Sequence, residues 1–375
     1  MSTHRVEIVK LDTIQPHNGA DRLELAIIAG WQVVVGKGNF LPGDCAVYVP
    51  VDSVLPVDLE LKLFPPDSKI KLKKSRIRSI KIRGQMSQGM LIKLDEVADK
   101  ISAAVQVGDD VAETLGITKY EPPEPEFGGS KGTRGKQASK NQINPYFSKY
   151  TDIENIKWYN NLFQDGEQVY ISEKLHGTSA RYGYVPRFYS GFLGKFKMAA
   201  MSFLSRVGLA KEQQFVFGSR NCQLHTGSNK SWYKEDVYSK ILFQEKIQEK
   251  LGMNECIYGE IVGHNIQKNY TYGCKEGEHK FYAYDVKVDG RWLNAEEFIE
   301  FCDKRGFDRV PCLYIGPYSK AVELSHRDGD STIGGQKIRE GVVIKPAVEE
   351  ITVCGRKVLK SISDAYYLEE NSDFH

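Results

Sequence analysis

Short runs of alternating apolar and polar residues fill the first third of the chain. Three of them, residues 31–35, 44–49 and 89–93, are mainly apolar and are bounded by turns that contain Gly or Asp. Evenly spaced short strands without a helical period are typical of a small β-barrel. We therefore predict a β-barrel module over residues 1–117.

The pattern changes beyond Tyr150. Residues 234–251 and 294–305 repeat apolar residues at i, i+3 and i+4, which predicts two helices packed on a sheet. Short strand patterns surround them, at residues 168–172, 217–221, 257–263, 281–286, 340–346 and 356–360. This mixture predicts an α+β domain with antiparallel sheets over residues 150–375.

Residues 118–149 separate these two modules. From Glu121 onward the segment is rich in Pro, Gly, Lys and Ser and shows no periodicity. That composition is typical of a linker, so we predict a flexible connection there.

The overall charge of the chain is almost balanced. It has 51 Lys and Arg against 49 Asp and Glu, a net charge of +2, so affinity for nucleic acid must come from local clusters. Its 375 residues are 41% hydrophobic and 27% charged, which describes a globular protein long enough for two cores.

Seven cysteines are scattered along the chain without a C-x-x-C pair. This spacing supports neither a zinc site nor a disulfide framework, and it suits a reducing compartment. The N-terminus lacks a secretory pattern, and no apolar run reaches the roughly 18 to 20 residues of a membrane span. We therefore expect a cytoplasmic protein with no membrane partner, acting as a monomer.

One local charge cluster lies between the strand patterns of the first module. Residues 69–83 contain eight basic residues and no acidic one, alternating with apolar residues in a strand-like period. One face would pack on the barrel, and the other would contact phosphates, which position a duplex without reading its sequence. A solvated strand face is the plain alternative. The candidate nucleic-acid contacts are Lys71, Lys73, Lys74, Arg76, Arg78, Lys81 and Arg83.

The strongest chemical signal is the sequence EKLHGTS at residues 173–179. The strand pattern before it places Lys174 near a strand end at a tight turn, and Gly177 lets the backbone approach a ligand closely. Lys174 is therefore a candidate nucleophile. Taken alone, the short motif favours an ordinary surface lysine, because lysines are common on any surface.

The order of the later motifs favours the nucleophile. After residues 173–179 come FGSRN at 217–221, IYGEIVG at 257–263, FYAYDV at 281–286, EGVVIKP at 340–346 and RKVLK at 356–360. In this order they resemble the covalent nucleotidyltransferases, the superfamily of ATP-dependent RNA and DNA ligases and mRNA capping enzymes. The histidine in Lys-x-His-Gly-Thr and residues 265–270 make the catalytic half similar to RNA ligases of the phage T4 RNA ligase 2 type. The extra N-terminal module is similar to that of the Naegleria and Deinococcus RNA ligases.

The resemblance covers nearly the whole chain and implies both a fold and an activity. The implied fold class is α+β, with an N-terminal OB-like β-barrel followed by an antiparallel-sheet, ATP-grasp-like nucleotidyltransferase domain. The implied activity is ATP-dependent joining of a 3′-hydroxyl to a 5′-phosphate through a lysyl-adenylate and then an adenylated 5′ end. The expected partner is RNA or an RNA/DNA nicked duplex, with RNA on the 3′-hydroxyl side of the nick.

The resemblance also implies roles for the motif residues. Lys174 would attack the α-phosphorus of ATP, and Lys345, Lys360 and a bound metal would favour its neutral amine. Arg220 would hold phosphate, and Tyr284 would stack on adenine. The implied catalytic residues are Lys174, His176, Arg220, Glu260, Glu340, Lys345 and Lys360. The implied nucleotide contacts are Glu173, Lys174, Leu175, Ser179, Arg220, Glu260, Tyr284 and Lys360.

A divalent cation is implied as well. Glu260 and Glu340 are its candidate ligands, through water, and their hard oxygen donors suit Mg²⁺ or Mn²⁺. An exposed or salt-bridged carboxylate is the alternative for each of them.

Three positions depart from the family pattern. His176 stands where many ligases have an acidic residue, and Ile362 stands where a second lysine is expected two positions after Lys360. Asn155 lies in a segment where related ligases usually have an arginine. Each departure puts one contact with metal or phosphate in doubt.

Two other classes of function remain open. A catalytically inert nucleic-acid-binding protein could keep the fold alone, but such a protein has no reason to retain Lys174, Glu260, Glu340 and Lys360 together. A DNA ligase or a guanylyltransferase would share the chemistry. Those enzymes use a C-terminal OB domain, for which the short segment after Lys360 has no room, so we favour RNA ligation.

Overall fold

The structure is a computed structural model that describes residues 4–68, 71–120, 144–189, 212–224, 235–352 and 355–369. They fall into two units. The first contains residues 4–68 and 71–120 together with Ile153–Leu162 and residues 362–369, and the second contains the remainder. The predicted boundaries at 117 and 150 stay a prediction. Most of the predicted linker, residues 121–143, lies outside the described residues. The sequence between the first two motifs also contains an insertion, residues 188–209, for which an amphipathic helix over RNA and a packed surface helix were the alternatives, and most of it lies outside the described residues as well.

Short antiparallel strands build the first unit. They are β1 (Glu7–Lys10), β2 (Thr13–Pro16), β3 (Leu23–Ile28), β4 (Trp31–Gly36), β5 (Cys45–Val49), β6 (Ser53–Val54), β7 (Ser79–Ile82), β8 (Gln85–Gln88), β9 (Met90–Lys93), β10 (Thr118–Lys119) and β11 (Glu154–Asn155). The strands pair in the orders β1-β5-β9, β2-β3-β4, β7-β8 and β10-β6. The short helices are Val57–Leu63, Ala112–Leu115 and Asp364–Tyr367. The predicted strands at 31–35, 44–49 and 89–93 are thus present as β4, β5 and β9.

Side chains of a strand alternate between its two faces, and this alternation explains the core of the first unit. β4 buries Trp31, Val33 and Val35 and half-exposes the residues between them. Trp31 packs on Trp158 and Tyr367, with ring centroids 5.8 and 6.3 Å apart. These two aromatic contacts bring residues from much later in the chain into the core of the first unit.

The predicted strand over the basic run is wrong for most of its length. Residues Lys73–Ser75 form a 3₁₀ turn in which Lys74 and Ser75 have φ of 58° and 55°, and a strand cannot contain such angles. Within the described part of this run, β7 is the only strand, and Ile80, expected to face the barrel, is 45% exposed. Lys69 and Ile70 lie outside the described residues.

The second unit combines two antiparallel sheets with helices. Its strands are β12 (Gln168–Lys174), β13 (Thr178–Pro186), β14 (Gln213–Ser219), β15 (Gln223–Leu224), β16 (Glu255–Gly263), β17 (His279–Val288), β18 (Arg291–Trp292), β19 (Cys312–Pro317), β20 (Gly341–Pro346), β21 (Ile351–Thr352), β22 (Gly355–Arg356) and β23 (Leu359–Ile362). One sheet has the order β23-β20-β12-β19 and the other β15-β14-β13-β16-β17-β18. The helices are Val237–Gln244, Ile247–Lys250, Ala295–Arg305 and Lys320–Arg327.

The two predicted helices are present, one of them in two pieces. Asn294 caps the helix Ala295–Arg305 in a capping box, and Gly306 ends it with φ of 64°. The segment predicted as one helix over 234–251 is divided at Lys246, whose φ is 49°. The apolar faces of these helices join the sheet residues in one core, which includes Tyr170, Tyr182, Phe217, Ile241, Ile257, Phe281 and Phe298.

Candidate active site

Lys174 is the last residue of β12, next to the turn that leads from one sheet to the other. Its Nζ lies 2.5 Å from Oε1 of Glu340, which immediately precedes β20. The pair meets because Lys174 is the register partner of Gly341 across the two strands. Gly341 has φ of 146°, so this close approach uses a backbone conformation that favours glycine. The Lys174 side chain is 25% exposed and the Glu340 side chain is 2% exposed. A buried carboxylate therefore orients an amine that is still accessible to solvent.

Gly177 makes the turn after Lys174 tight enough to approach the second sheet. A Cβ atom at this position would lie 2.3 Å from the carbonyl oxygen of Ile261 and 2.8 Å from Cγ of Glu260, which leaves no room for a side chain. Two residues later, Ser179 is opposite Glu260 in the β13–β16 register. Lys174 at the end of β12, Glu260 on β16 and Glu340 just before β20 are thereby brought to one site.

The two glutamates repel each other electrostatically. Burial raises the pKa of Glu260 to about 8, the Glu340 carboxylate adds to the rise, and Lys174, the Gly177 N–H and Arg220 oppose it. In addition, Oε2 of Glu340 is buried and accepts no hydrogen bond from the described residues. A site with two close carboxylates and an unused buried oxygen has the donor chemistry that a hard divalent cation needs.

Protein side chains alone do not complete a metal site here. Within the described ranges, no group of three or more His, Cys, Asp and Glu residues is placed to hold a metal ion. Glu260 and Glu340 therefore fit a cation that takes its other ligands from water or substrate, as Mg²⁺ commonly does.

A β-bulge turns Tyr284 toward this site. Tyr258 pairs with Asp285 and Gly259 pairs with Ala283, so Tyr284 is the extra residue of β17. Its hydroxyl lies 2.8 Å from Oγ of Ser179, and its ring packs edge-on against Tyr150. Two predicted nucleotide contacts, Tyr284 and Ser179, are therefore neighbours.

Arg220 follows the end of β14 and forms an ion pair with Asp152. Its side chain is 45% exposed, and its charge lowers the pKa of Glu260, so it faces the same site. The buried Arg181 supports this strand end, because its guanidinium donates to the carbonyl oxygens of Ser219 and Phe147 at 3.1 and 2.7 Å.

Lys345 lies near the end of β20 and is 2% exposed. Its Nζ is 3.3 Å from Oδ1 of Asp285, while Arg356 and the hydroxyl of Tyr150 each contact Oδ2 at 2.9 Å. Burial alone would raise the pKa of Asp285, but Lys345 and Arg356 outweigh it and hold that pKa below its usual value. Lys345, which was predicted to favour the neutral amine of Lys174, is thus a member of a buried charge network beneath Tyr284.

Lys360 lies on β23, the neighbour of β20 in the sheet. The next residue, Ser361, donates to Oε1 of the buried Glu323 at 2.7 Å. Lys357, in the turn before β23, is paired with Glu167 and Glu350 at 2.8 and 3.0 Å. The strand is therefore anchored on both sides of Lys360.

The residues around Lys174 in the first motif are buried. The Glu173 carboxylate turns away from Lys174 and accepts hydrogen bonds from Thr332, and Leu175 is 4% exposed. The backbone N–H of His176 donates to the hydroxyl of Tyr272 at 2.7 Å, and the His176 ring packs edge-on against Tyr270. No sequence signal pointed to Tyr272 or Thr332, because both lie in irregular segments.

The candidate phosphate contacts of the first unit divide into two groups. Arg76 is buried, forms an ion pair with Asp52 and packs its guanidinium 4.0 Å from the centre of the Tyr120 ring. Arg78 is half-buried. The exposed residues of the set are Lys71, Lys73, Lys74, Lys81 and Arg83.

The fold and this constellation are those expected of a covalent nucleotidyltransferase with an additional N-terminal module. A family model described as RNA ligase matches residues 167–362, more than half of the chain, and an OB-fold domain model matches residues 5–94. The chain belongs to the RNA ligase family, and its fold is an OB-fold domain followed by a ligase domain.

Solved structures of Naegleria gruberi RNA ligase are similar over nearly the whole chain. A variant of that enzyme with ATP and Mn is 26% identical, with a TM-score of 0.70 and coverage of 97% of this chain and 98% of that one. The same values describe the enzyme with pyrophosphate. A variant with AMP and Mn is 25% identical, with a TM-score of 0.70 over 96% and 97% of the two chains. No curated protein gives a match. Among the described residues, no helix is long and apolar enough to cross a membrane.

Proposed function

We propose that this RNA ligase uses ATP to join a 3′-hydroxyl to a 5′-phosphate at nicks in which RNA carries the 3′-hydroxyl. The reaction proceeds through AMP bound to Lys174 and then through an adenylated 5′ end. The enzyme acts as a monomer, and its scattered cysteines without a C-x-x-C pair suit the reducing cytoplasm.

The observation that carries the proposal is the ion pair of Lys174 with the buried Glu340, beside the second carboxylate, Glu260. Its Nζ is held 2.5 Å from Glu340, and its charge also acts on Glu260. A lysine that is partly exposed and oriented by buried groups can present its amine to one direction of approach. An ordinary surface lysine has no such constraint.

The first step forms a bond between Nζ of Lys174 and the α-phosphorus of ATP and breaks the bond to pyrophosphate. The Lys174 ammonium must first lose a proton, and the bound phosphates must be held in line with it. Arg220 is exposed at the end of β14 and is suited to hold phosphate, and Tyr284 is suited to contact adenine. In the later steps AMP moves to the 5′-phosphate and is then displaced by the 3′-hydroxyl.

ATP and a divalent metal are supported by the relatives. Structures of the Naegleria gruberi enzyme were obtained with ATP and Mn and with AMP and Mn. In this chain Glu260 and Glu340 would hold the metal, which would neutralise negative charge that develops on the phosphates.

RNA contact is proposed for the exposed basic residues of the first unit. Lys81 and Arg83 lie on and beside the β7–β8 hairpin, and Lys71, Lys73 and Lys74 lie in the turn that precedes it. Their charges can hold backbone phosphates without base readout, as an enzyme that acts at any nick requires.

The decisive experiment is label transfer. The purified protein is incubated with ATP labelled at the α-phosphate and with Mg²⁺ or Mn²⁺, and the label on the protein is measured. We expect label on the unaltered chain and none on Lys174→Met. The matched control is Lys304→Met, which removes an exposed lysine paired with Glu300 and should label normally.

The same assay separates the alternatives. Absence of label with ATP, GTP and NAD at several metal concentrations would leave an inert nucleic-acid-binding protein. Label from GTP in preference to ATP would indicate a guanylyltransferase. Matched nicks with RNA or DNA on the 3′-hydroxyl side then test strand preference, and equal sealing of both would refute the proposed requirement for RNA.

A further inference from the structure

Glu173 is bound to a loop that lies far away in the sequence. It is 1% exposed, and its Oε2 accepts hydrogen bonds from the backbone N–H and the hydroxyl of Thr332 at 3.0 and 2.8 Å. Successive residues of a strand point to opposite faces, so Glu173 and Lys174 leave β12 in opposite directions. The carboxylate next to the nucleophile is thus engaged by protein, in a direction that leads away from the amine.

Arg339 completes the contact from the other end of the same loop. Its Nε lies 3.7 Å from Oε2 of Glu173, and its terminal nitrogens donate to the carbonyl oxygens of His326 and Asp330 at 2.6 and 2.8 Å. Its backbone N–H donates to the carbonyl oxygen of Gly329 at 2.9 Å. One buried guanidinium therefore closes the loop of residues 329–339 and directs it toward Glu173.

The loop ends in the carboxylate that contacts the nucleophile. Arg339 is followed by Glu340, just as Glu173 is followed by Lys174. Arg339 contacts Glu173, and Glu340 contacts Lys174, so two neighbouring ion pairs join the same two segments. Within the loop, Gly334 lies so close to Tyr272 that a Cβ atom would be 2.1 Å from its carbonyl carbon. Tyr272 in turn accepts the backbone N–H of His176. The loop of residues 329–339 therefore contacts Glu173, just before Lys174, and is connected through Tyr272 to His176, just after it.

We propose that Glu173, Thr332 and Arg339 form a brace that fixes Glu340 against Lys174 and thereby positions the nucleophile for adenylyl transfer. This inference rests on the proposed function. It makes Glu173 a positioning residue, whereas the sequence predicted that it contacts the nucleotide. It also assigns the same role to Thr332 and Arg339, which lie outside the motifs.

The brace predicts a loss of rate without a loss of nucleotide affinity. Thr332→Val keeps the shape of the side chain but removes one donor to Glu173. We expect the rate constant of label transfer at saturating ATP to fall about five- to tenfold, the usual weight of one hydrogen bond, with KM for ATP changed less than twofold. Thr332→Ser restores the hydroxyl and should recover most of the rate. Ser325→Ala, on an exposed helix position, is the control for handling and folding.

Glu173 provides a second, independent pair of variants. Glu173→Gln keeps an oxygen that can accept from Thr332, whereas Glu173→Ala removes it. Hydrogen exchange of the amides in residues 329–338, measured without nucleotide, should accelerate about tenfold or more in Glu173→Ala and much less in Glu173→Gln. This measurement requires no catalytic activity.

Each outcome decides between the two roles. Equal rates for Thr332→Val and Thr332→Ser would overturn the brace, and so would unchanged amide exchange in Glu173→Ala. A higher KM for ATP with an unaltered rate constant in both Glu173 variants would instead establish the nucleotide contact. If the unaltered protein takes up no label, the proposed function and the catalytic part of this inference fail together, while the exchange data still decide whether the brace exists.

Discussion

Replacing Asp285 tests whether the buried charges beneath Tyr284 behave as the structure implies. Asp285 is fully buried and contacts Lys345, Arg356 and Tyr150 with its two carboxylate oxygens. Asp285→Ala would leave two cations in the interior with one fewer carboxylate. Glu349 remains as a partner for Arg356, whereas Lys345 keeps no carboxylate in the described residues. Its Nζ retains a long contact of 3.4 Å to the carbonyl oxygen of Tyr284 and lies 5.5 and 5.1 Å from the ring centres of Tyr170 and Phe298.

The expected magnitude follows from burial. Removal of one partner from a buried ion pair costs about 3–5 kcal/mol, because the remaining charge is not solvated. The pair of Glu300 and Lys304 is the matched control, since its side chains are 64% and 70% exposed and it joins residues four apart on one helix. For Glu300→Ala we expect a loss of about 0.5 kcal/mol or less.

Urea unfolding followed by circular dichroism gives the free energy of unfolding for each variant. The double variant Asp285→Ala with Lys345→Met adds a second check, because removal of the unpaired cation should restore part of the loss by about 1–3 kcal/mol. A loss for Asp285→Ala within about 1 kcal/mol of that for Glu300→Ala would refute the reasoning. So would a double variant that is less stable than the sum of the two single changes.

Three further predictions concern the site and the first unit. The folded pKa of Glu260, about 8, lies above its ordinary value, so its contribution to stability is complete at acid pH and is lost as pH rises toward 8. In the presence of a metal chelator, the free energy of unfolding should therefore fall over that pH range. Glu260→Gln should show a shallower fall in the same urea titrations. Arg181→Lys should lower the affinity for 5′-phosphorylated RNA in filter binding, because it loses the hydrogen bonds that fix the strand end before Arg220, whereas unchanged affinity would contradict this positioning. Combined replacement of Lys81 and Arg83 by Ala should reduce the slope of log K against log salt by about 1–2, measured by RNA binding at several salt concentrations; an unaltered slope would place the RNA elsewhere.

Local patterns were sufficient for much of the fold. The strand pattern at residues 31–35 predicted β4, and the helical period of residues 234–251 predicted the helical segment that Lys246 divides. Signals of this kind depend on residues within one or two turns of each other. The prediction of a strand over the basic run, residues 69–83, failed for the same reason. Only the structure shows that Lys74 and Ser75 adopt positive φ values, which interrupt a strand.

By itself, the sequence identified the family and made Lys174 the candidate nucleophile, because the order of the motifs and the glycine after Lys174 can be read without coordinates. Only the tertiary structure decided which charges meet. Lys345 was expected to favour the neutral amine of Lys174 and is paired with Asp285, and Glu173 was expected at the nucleotide and is bound to Thr332, 159 positions away. Pairings of that range follow from which strands become neighbours and which face each side chain takes. The energy of those pairings depends on how deeply the charges are buried in the folded chain. Neither composition nor the spacing of residues in the sequence contains that information.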